Sequence, residues 1–220
     1  PTRLNGFSDL LRDEVARAGY VEVLTHGLCR LDEQFDKLRH DDGKEKAVVL
    51  SNPASEEFEI VRTSLLVGAL KTLECAKAHS VKEGLKLFEV NDVVHRDDNE
   101  DVGALNRRHL VATYTGPTAG FEVIHGLVDR VMTCAQIAPT KAYAGNSLKG
   151  YTGSSGSRMY SVEPIDDPTY FPGRCARVMI EESGSKTSVG IFGVVHPEVL
   201  KNFGVANRTS TLELDVEALA

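Results

Sequence analysis

From residue 85 onward, the strand-like segments of this 220-residue chain follow one another directly instead of alternating with helices. Runs rich in β-forming residues occur at 85–90, 93–96 and 109–115, then, after one helical pattern, at 158–162, 174–181, 189–195 and 211–216. A parallel β-α-β sheet needs a crossover of about a dozen residues or more between strands, and most of these gaps are too short for one. The pattern predicts an α+β fold, a mostly antiparallel sheet flanked by helices, rather than a doubly wound one. A chain of this length can bury one substantial core, so 1–220 reads as a single domain.

The helices are read from apolar spacing. Phe7, Leu10, Leu11, Val15 and Ala18 predict an amphipathic helix over 5–18, with Asn5 or Ser8 as its cap and Gly19 as its stop. An alternating strand follows at 20–25, then a short helical stretch at 31–38. The apolar run 47–50 closes on Ser51-Asn52-Pro53, and a second helix carries Val61, Leu65, Leu66, Ala69, Leu70, Leu73 and Ala76. Asn91-Asp92 reads as the tight turn of a hairpin and 97–106 as a solvated acidic loop. Phe121 to Ala135 gives a third helix, and His196-Pro197 opens a short fourth one with proline at its first position. Phe171-Pro172-Gly173-Arg174 predicts a turn with positive φ at Gly173 that delivers Arg174 to a strand start. The Gly-, Ser- and Lys-rich stretch 139–157 is expected to be a flexible insertion.

Composition narrows function mainly by exclusion. Lys and Arg number 25 against 32 Asp and Glu, a net charge of −7 that opposes phosphate backbones and anionic membranes. No apolar run approaches the roughly 18 residues of a membrane span. The chain starts at Pro1 without a signal-like stretch, which reads as a fragment of a longer protein. The 4 cysteines have no CxxC spacing, so a reduced, cytoplasmic protein is expected. The 7 histidines show neither HxxxH nor HExxH, and no phosphate loop, nucleophile elbow or EF-hand spacing is present. These residues assign no catalytic, cofactor-binding or metal position.

Several segments in order carry a resemblance. They are Leu10-Leu11-Arg12 through Gly19-Tyr20-Val21-Glu22-Val23-Leu24-Thr25, Ser51-Asn52-Pro53 with Arg62-Thr63-Ser64-Leu65-Leu66, and Leu87-Phe88-Glu89-Val90-Asn91-Asp92. Later come Asn106-Arg107-Arg108-His109, His125-Gly126-Leu127-Val128-Asp129-Arg130, Phe171-Pro172-Gly173-Arg174-Cys175-Ala176 and Gly193-Val194-Val195-His196-Pro197. Together they resemble the C-terminal catalytic-like module of the phenylalanyl-tRNA synthetase β subunit, of archaeal and eukaryotic cytosolic type. The resemblance implies a class II synthetase catalytic-domain-like fold. It also implies a non-catalytic assembly role beside an α subunit, in an (αβ)2 ligase using ATP and magnesium, with tRNA(Phe) engaged only by the complex and any editing done by a separate upstream domain.

The sequence offers a reason for that silence. The hairpin reading Leu87-Phe88-Glu89-Val90 lacks the arginine that a class II second motif uses on ATP phosphate, no arginine-bearing third motif follows His196-Pro197, and His26 replaces the first-motif proline after Thr25. The alternative is a divergent class II ligase or adenylate-forming enzyme active on its own. Structural and interface candidates are Arg12, Arg17, Tyr20, Glu22, Arg62, Glu89, Gly173 and Arg174. The first-motif helix 5–18 and strand 20–25 are the expected interface, with Arg12 and Arg17 toward the partner.

Overall fold

The computed structural model describes residues 2–40, 43–76, 84–144 and 158–220. Its helices are α1 (Arg3–Arg17), α2 (Leu31–Gln34), α3 (Leu66–Cys75), α4 (Phe121–Cys134), α5 (Lys141–Ala144) and α6 (Pro197–Asn202). Its strands are β1 (Val21–Glu22), β2 (Leu28–Cys29), β3 (Ile60–Val61), β4 (Leu85–Arg96), β5 (Ala104–Gly116), β6 (Ala138–Pro139), β7 (Arg158–Pro164), β8 (Tyr170–Glu182), β9 (Ser185–Val195) and β10 (Arg208–Asp215).

Eight strands form one sheet in the order β1-β4-β5-β10-β9-β8-β7-β6, and β2 pairs with β3 in a separate two-stranded sheet. From β4 to β7 the neighbours are antiparallel, whereas β1 and β6 add to the two edges in parallel. The edge strands are only two residues long, which leaves little unpaired backbone at either border.

Side-chain alternation gives the sheet two covered faces. On the first, Phe88, Val90, Leu110, Ala112, Phe192, Leu212 and Leu214 pack with Leu11 and Val15 of α1 and with Ile124, Leu127, Val128, Val131 and Met132 of α4. On the second, Leu87 and Val195 pack with Leu66 and Leu70 of α3 and Val199 of α6, while Val93 and Val111 meet Leu65 and Ala69. That second face also buries Glu89, Thr113, Thr115, Thr209 and Thr211, an unusual polar load for a sheet interior.

The helical periodicity is realised with small shifts. Helix α1 begins two residues early, because Thr2 caps it by accepting the Asn5 N–H at 3.3 Å; it ends at Gly19, whose φ is 85°. His196 caps α6 by accepting the Glu198 N–H at 3.1 Å, with Pro197 at the first position. The 31–38 stretch divides into α2 and a 3-10 turn.

Several expectations are corrected. Asn91 and Asp92 are the middle of the 12-residue β4, opposite His109 and Arg108, and not a turn. Neither is a glycine able to supply positive φ cheaply, and each side chain has a partner in the sheet: Asn91 Nδ2 donates to Glu89 at 3.0 Å and Asp92 accepts from Arg108. The reversal lies beyond Arg96, and residues 104–106 of the expected loop belong to β5. Val61 belongs to β3, since the next residue donates its N–H to the Gly27 carbonyl and accepts the Val94 N–H at its own carbonyl; the helix then starts at Leu66, whose N–H donates to the Ser64 hydroxyl oxygen at 3.0 Å.

The predicted strand 20–25 pairs regularly only over Val21–Glu22, because Thr25 turns inward to Glu89. Of the expected insertion, 145–157 lies outside the described residues, whereas Pro139 is in β6 and 141–144 form α5.

Gly173 does hold positive φ, at 69°, but within β8 instead of ahead of it. Between the pairs Tyr170↔Val195 and Cys175↔Gly193 the register slips, so the segment 171–174 bulges out of the ladder. Nothing lies within 4 Å of a Cβ built at Gly173. Gly173→Ala therefore meets only the backbone penalty and is expected to lower stability by about 1 kcal/mol. A urea midpoint equal to wild type would contradict that assignment.

Candidate functional site

Two acidic groups on the second face organise the region where chemistry could occur. The first is Glu89, in β4 and fully buried, paired with the buried Arg62 at 3.1 Å. Thr25 donates its hydroxyl to Glu89 Oε2 at 2.6 Å and its N–H to Oε1 at 3.3 Å, and Asn91 adds its amide to Oε1. Arg62 also gives Nη1 to the Thr25 hydroxyl oxygen at 3.0 Å and Nε to the Asp92 carbonyl at 3.0 Å. Gly68 of α3 sits against Thr25 with no room for a Cβ. Such a pair offsets the cost of burying its charges only because each oxygen and most N–H groups are bonded.

The second is Glu213 of β10. It accepts from the Ser64 hydroxyl at 2.5 Å and the Leu65 N–H at 3.0 Å, and pairs with His109 Nδ1 at 2.8 Å. Burial alone would raise the Glu213 carboxyl, but the bond and charge of His109 outweigh it and hold the pKa below the usual carboxylate value. Burial would likewise lower His109, and the Glu213 partner overcomes it, so the imidazole is raised. His95, whose ring centre lies 6.5 Å from that of His109, is pushed down by burial and then by its neighbour's charge. Ser64, His95, His109, Asp167, Glu213 and Asp215 line a cavity of about 490 Å³. Among the described residues no group of three or more His, Cys, Asp or Glu is placed to hold a metal ion.

A family model of the phenylalanyl-tRNA synthetase β chain CLM domain matches residues 1–216. The chain belongs to that family. It is 41% identical to the mouse phenylalanine–tRNA ligase β subunit over 97% of this chain, 42% to the cytoplasmic Arabidopsis thaliana β subunit over 100%, and 39% to the Saccharomyces cerevisiae β subunit over 99%. These matches cover 33%, 35% and 35% of the relatives, so the chain spans about a third of their length.

Within this CLM domain the sequence candidates fall into three groups. Arg62 and Glu89 come together as the buried pair. Arg12, Tyr20 and Glu22 gather where α1 crosses the β1–β4 edge: Tyr20 is buried in the core, and Arg12 binds Glu22, Asp9 and the Val90 carbonyl, each at 2.9 Å. Arg12 thus fastens α1 to the sheet, whereas Arg17 is exposed and, among the described residues, reaches only Glu14, at 3.6 Å. Gly173 and the exposed Arg174 lie apart, on the β8 bulge. The His109–Glu213 pair was missed, although Thr209, Thr211 and Glu213 recur with the two-residue period that places polar groups on one strand face.

The pair gives the fold a pH signature. A raised His109 stabilises fully below its ordinary 6.5, and that contribution is lost as pH climbs through the folded-state value; a lowered Glu213 stabilises fully above 4.5 and is lost as pH falls through its own. Urea midpoints measured across pH should therefore decline on the alkaline side of 6.5, and His109→Gln should flatten that limb. An equally steep limb in the variant would assign it to another group.

Proposed function

We propose that this CLM domain is a non-catalytic structural and assembly module of a phenylalanine–tRNA ligase β subunit, with a class II-like sheet, supporting an α subunit in ATP- and magnesium-dependent charging of tRNA(Phe). The observation that carries the reading is the donor set on the second face. A nucleoside triphosphate needs several cationic, preferably bidentate, donors. Among the described residues the cavity there is lined by Asp167, Glu213 and Asp215 against one lysine, Lys46, and by no arginine; of its histidines His109 is already paired with Glu213, and Arg62 beside it is spent on Glu89. These residues do not fit ATP. Among the described residues no helix is long and apolar enough to cross a membrane, and with the cytoplasmic label of the Arabidopsis relative a cytoplasmic location is the reading adopted.

The α1–β1 border supports the assembly role. Leu10 of α1, Val21 of β1 and Leu24 just beyond it are exposed there, Val21 by 59% and Leu24 by 80%. Apolar side chains gathered on one open border mark a contact surface. Arg12 is not part of it, since all its nitrogens serve the chain itself.

One reconstitution tests both halves. The purified chain alone should show no phenylalanine-dependent ATP–pyrophosphate exchange, and should be captured by an α subunit unless Leu10→Glu and Leu24→Glu are introduced, with melting unchanged. Exchange by the isolated chain would overturn the non-catalytic reading, and undiminished capture of the double variant would remove this border as the contact.

A further inference from the structure

Sharing no lining residue with the acidic cavity, a groove of about 780 Å³ lies between the β8 bulge, α6 and the start of β10. Leu200 and Val205 form an aliphatic floor, and Arg174, Lys201 and Arg208 stand exposed around it. None of these three cationic side chains has an ion-pair or hydrogen-bond partner among the described residues. On a chain of net charge −7, three unpaired cations around one apolar groove form a local reversal of sign. Phe171 projects beside them, stacked on His196 with ring centres 6.3 Å apart.

The complementary shape is on the same molecule. The β4–β5 hairpin ends in Asp97-Asp98-Asn99-Glu100-Asp101-Val102-Gly103, where Val102 is 85% exposed. Asp98 pairs with Arg96, while Glu100 and Asp101 carry carboxylates without a partner among the described residues. An exposed valine flanked by free carboxylates matches an aliphatic floor rimmed by free cations.

The tip cannot reach its own groove. Arg96 pairs with Ala104 at one end of β5, and Arg208 pairs with Gly116 at the other. The 13 residues of β5 separate them by roughly 40 Å.

We propose that the groove receives the acidic hairpin tip of a second copy of this chain, two antiparallel copies exchanging tips so that both contacts close. Each contact seats Val102 on Leu200 and Val205 and places Glu100 and Asp101 among Arg174, Lys201 and Arg208. A nucleic acid would use the cations but not the floor, since it has no branched aliphatic group to bury. Because rim charges act largely through screened attraction, the dimer is salt-sensitive.

Sedimentation velocity on the purified chain tests this. A concentration-dependent dimer is expected at about 0.1 M salt, where the Debye length is about 10 Å, weakened about tenfold or more at about 1 M, where it is about 3 Å. A groove-reversed chain (Arg174→Glu, Arg208→Glu) and a tip-reversed chain (Glu100→Lys, Asp101→Lys) should each sediment as monomers. Mixed together they should associate again, because every tip then faces a groove of opposite charge; restored association also shows that both variants are folded. Val102→Ser should weaken the wild-type dimer without changing any charge. A wild-type monomer at both salt concentrations, association indifferent to the reversals, or a monomeric chain whose groove instead captures unfractionated tRNA in an Arg174- and Arg208-dependent way would each overturn the proposal.

Discussion

A carboxylate in the middle of a sheet is tolerated only when the chain around it is arranged to satisfy it. Glu89 imposes that requirement here. Its oxygens draw in Arg62 from the segment between β3 and α3, Thr25 from the exit of β1, and Asn91 from its own strand. Removing one member of such a pair would strand a buried charge, at a cost of about 3–5 kcal/mol. The path from β1 to β2, the point where β3 gives way to α3, and the close seat of Gly68 on Thr25 are consequences of this one accommodation.

The same logic is repeated across the sheet, where Glu213 gathers Ser64, Leu65 and His109. Ser64 and Arg62 are two residues apart, so the short stretch between β3 and α3 answers both acids. The second face thereby becomes a polar interior whose charged groups are occupied with one another. Surfaces still available for other molecules lie elsewhere, at the α1–β1 border and around the β8 bulge. This division is the one the proposed assembly role calls for.

Much of this was legible in the sequence. Spacing in α1 and α4, proline at the head of α6, and the succession of strands all gave the α+β antiparallel architecture, because those features are local. What misled was also local information outvoted by tertiary contact. Asn91-Asp92 has turn chemistry, yet Arg108 and Glu89 offer its side chains partners only β5 and the sheet interior could supply. Val61 fits a helical stripe, but the backbone of Arg62 is claimed by Gly27 and Val94. Arg12 is expected from the sequence to face a partner, and nothing in sequence shows that the Val90 carbonyl of its own chain lies within 2.9 Å of it. Arg62 and Glu89 entered as candidates only through family resemblance; their union across 27 residues is invisible to periodicity.

The most direct test of this account is a double-mutant cycle on the buried pair, with Arg62→Met, Glu89→Leu and the combination compared by denaturant unfolding. If Glu89 dictates the surrounding chain path, each single change should cost several kcal/mol and the double change no more than either, a coupling above about 2 kcal/mol. Additive losses, with coupling within about 0.5 kcal/mol, would contradict it and make the pair a passenger of a fold determined by its apolar layers.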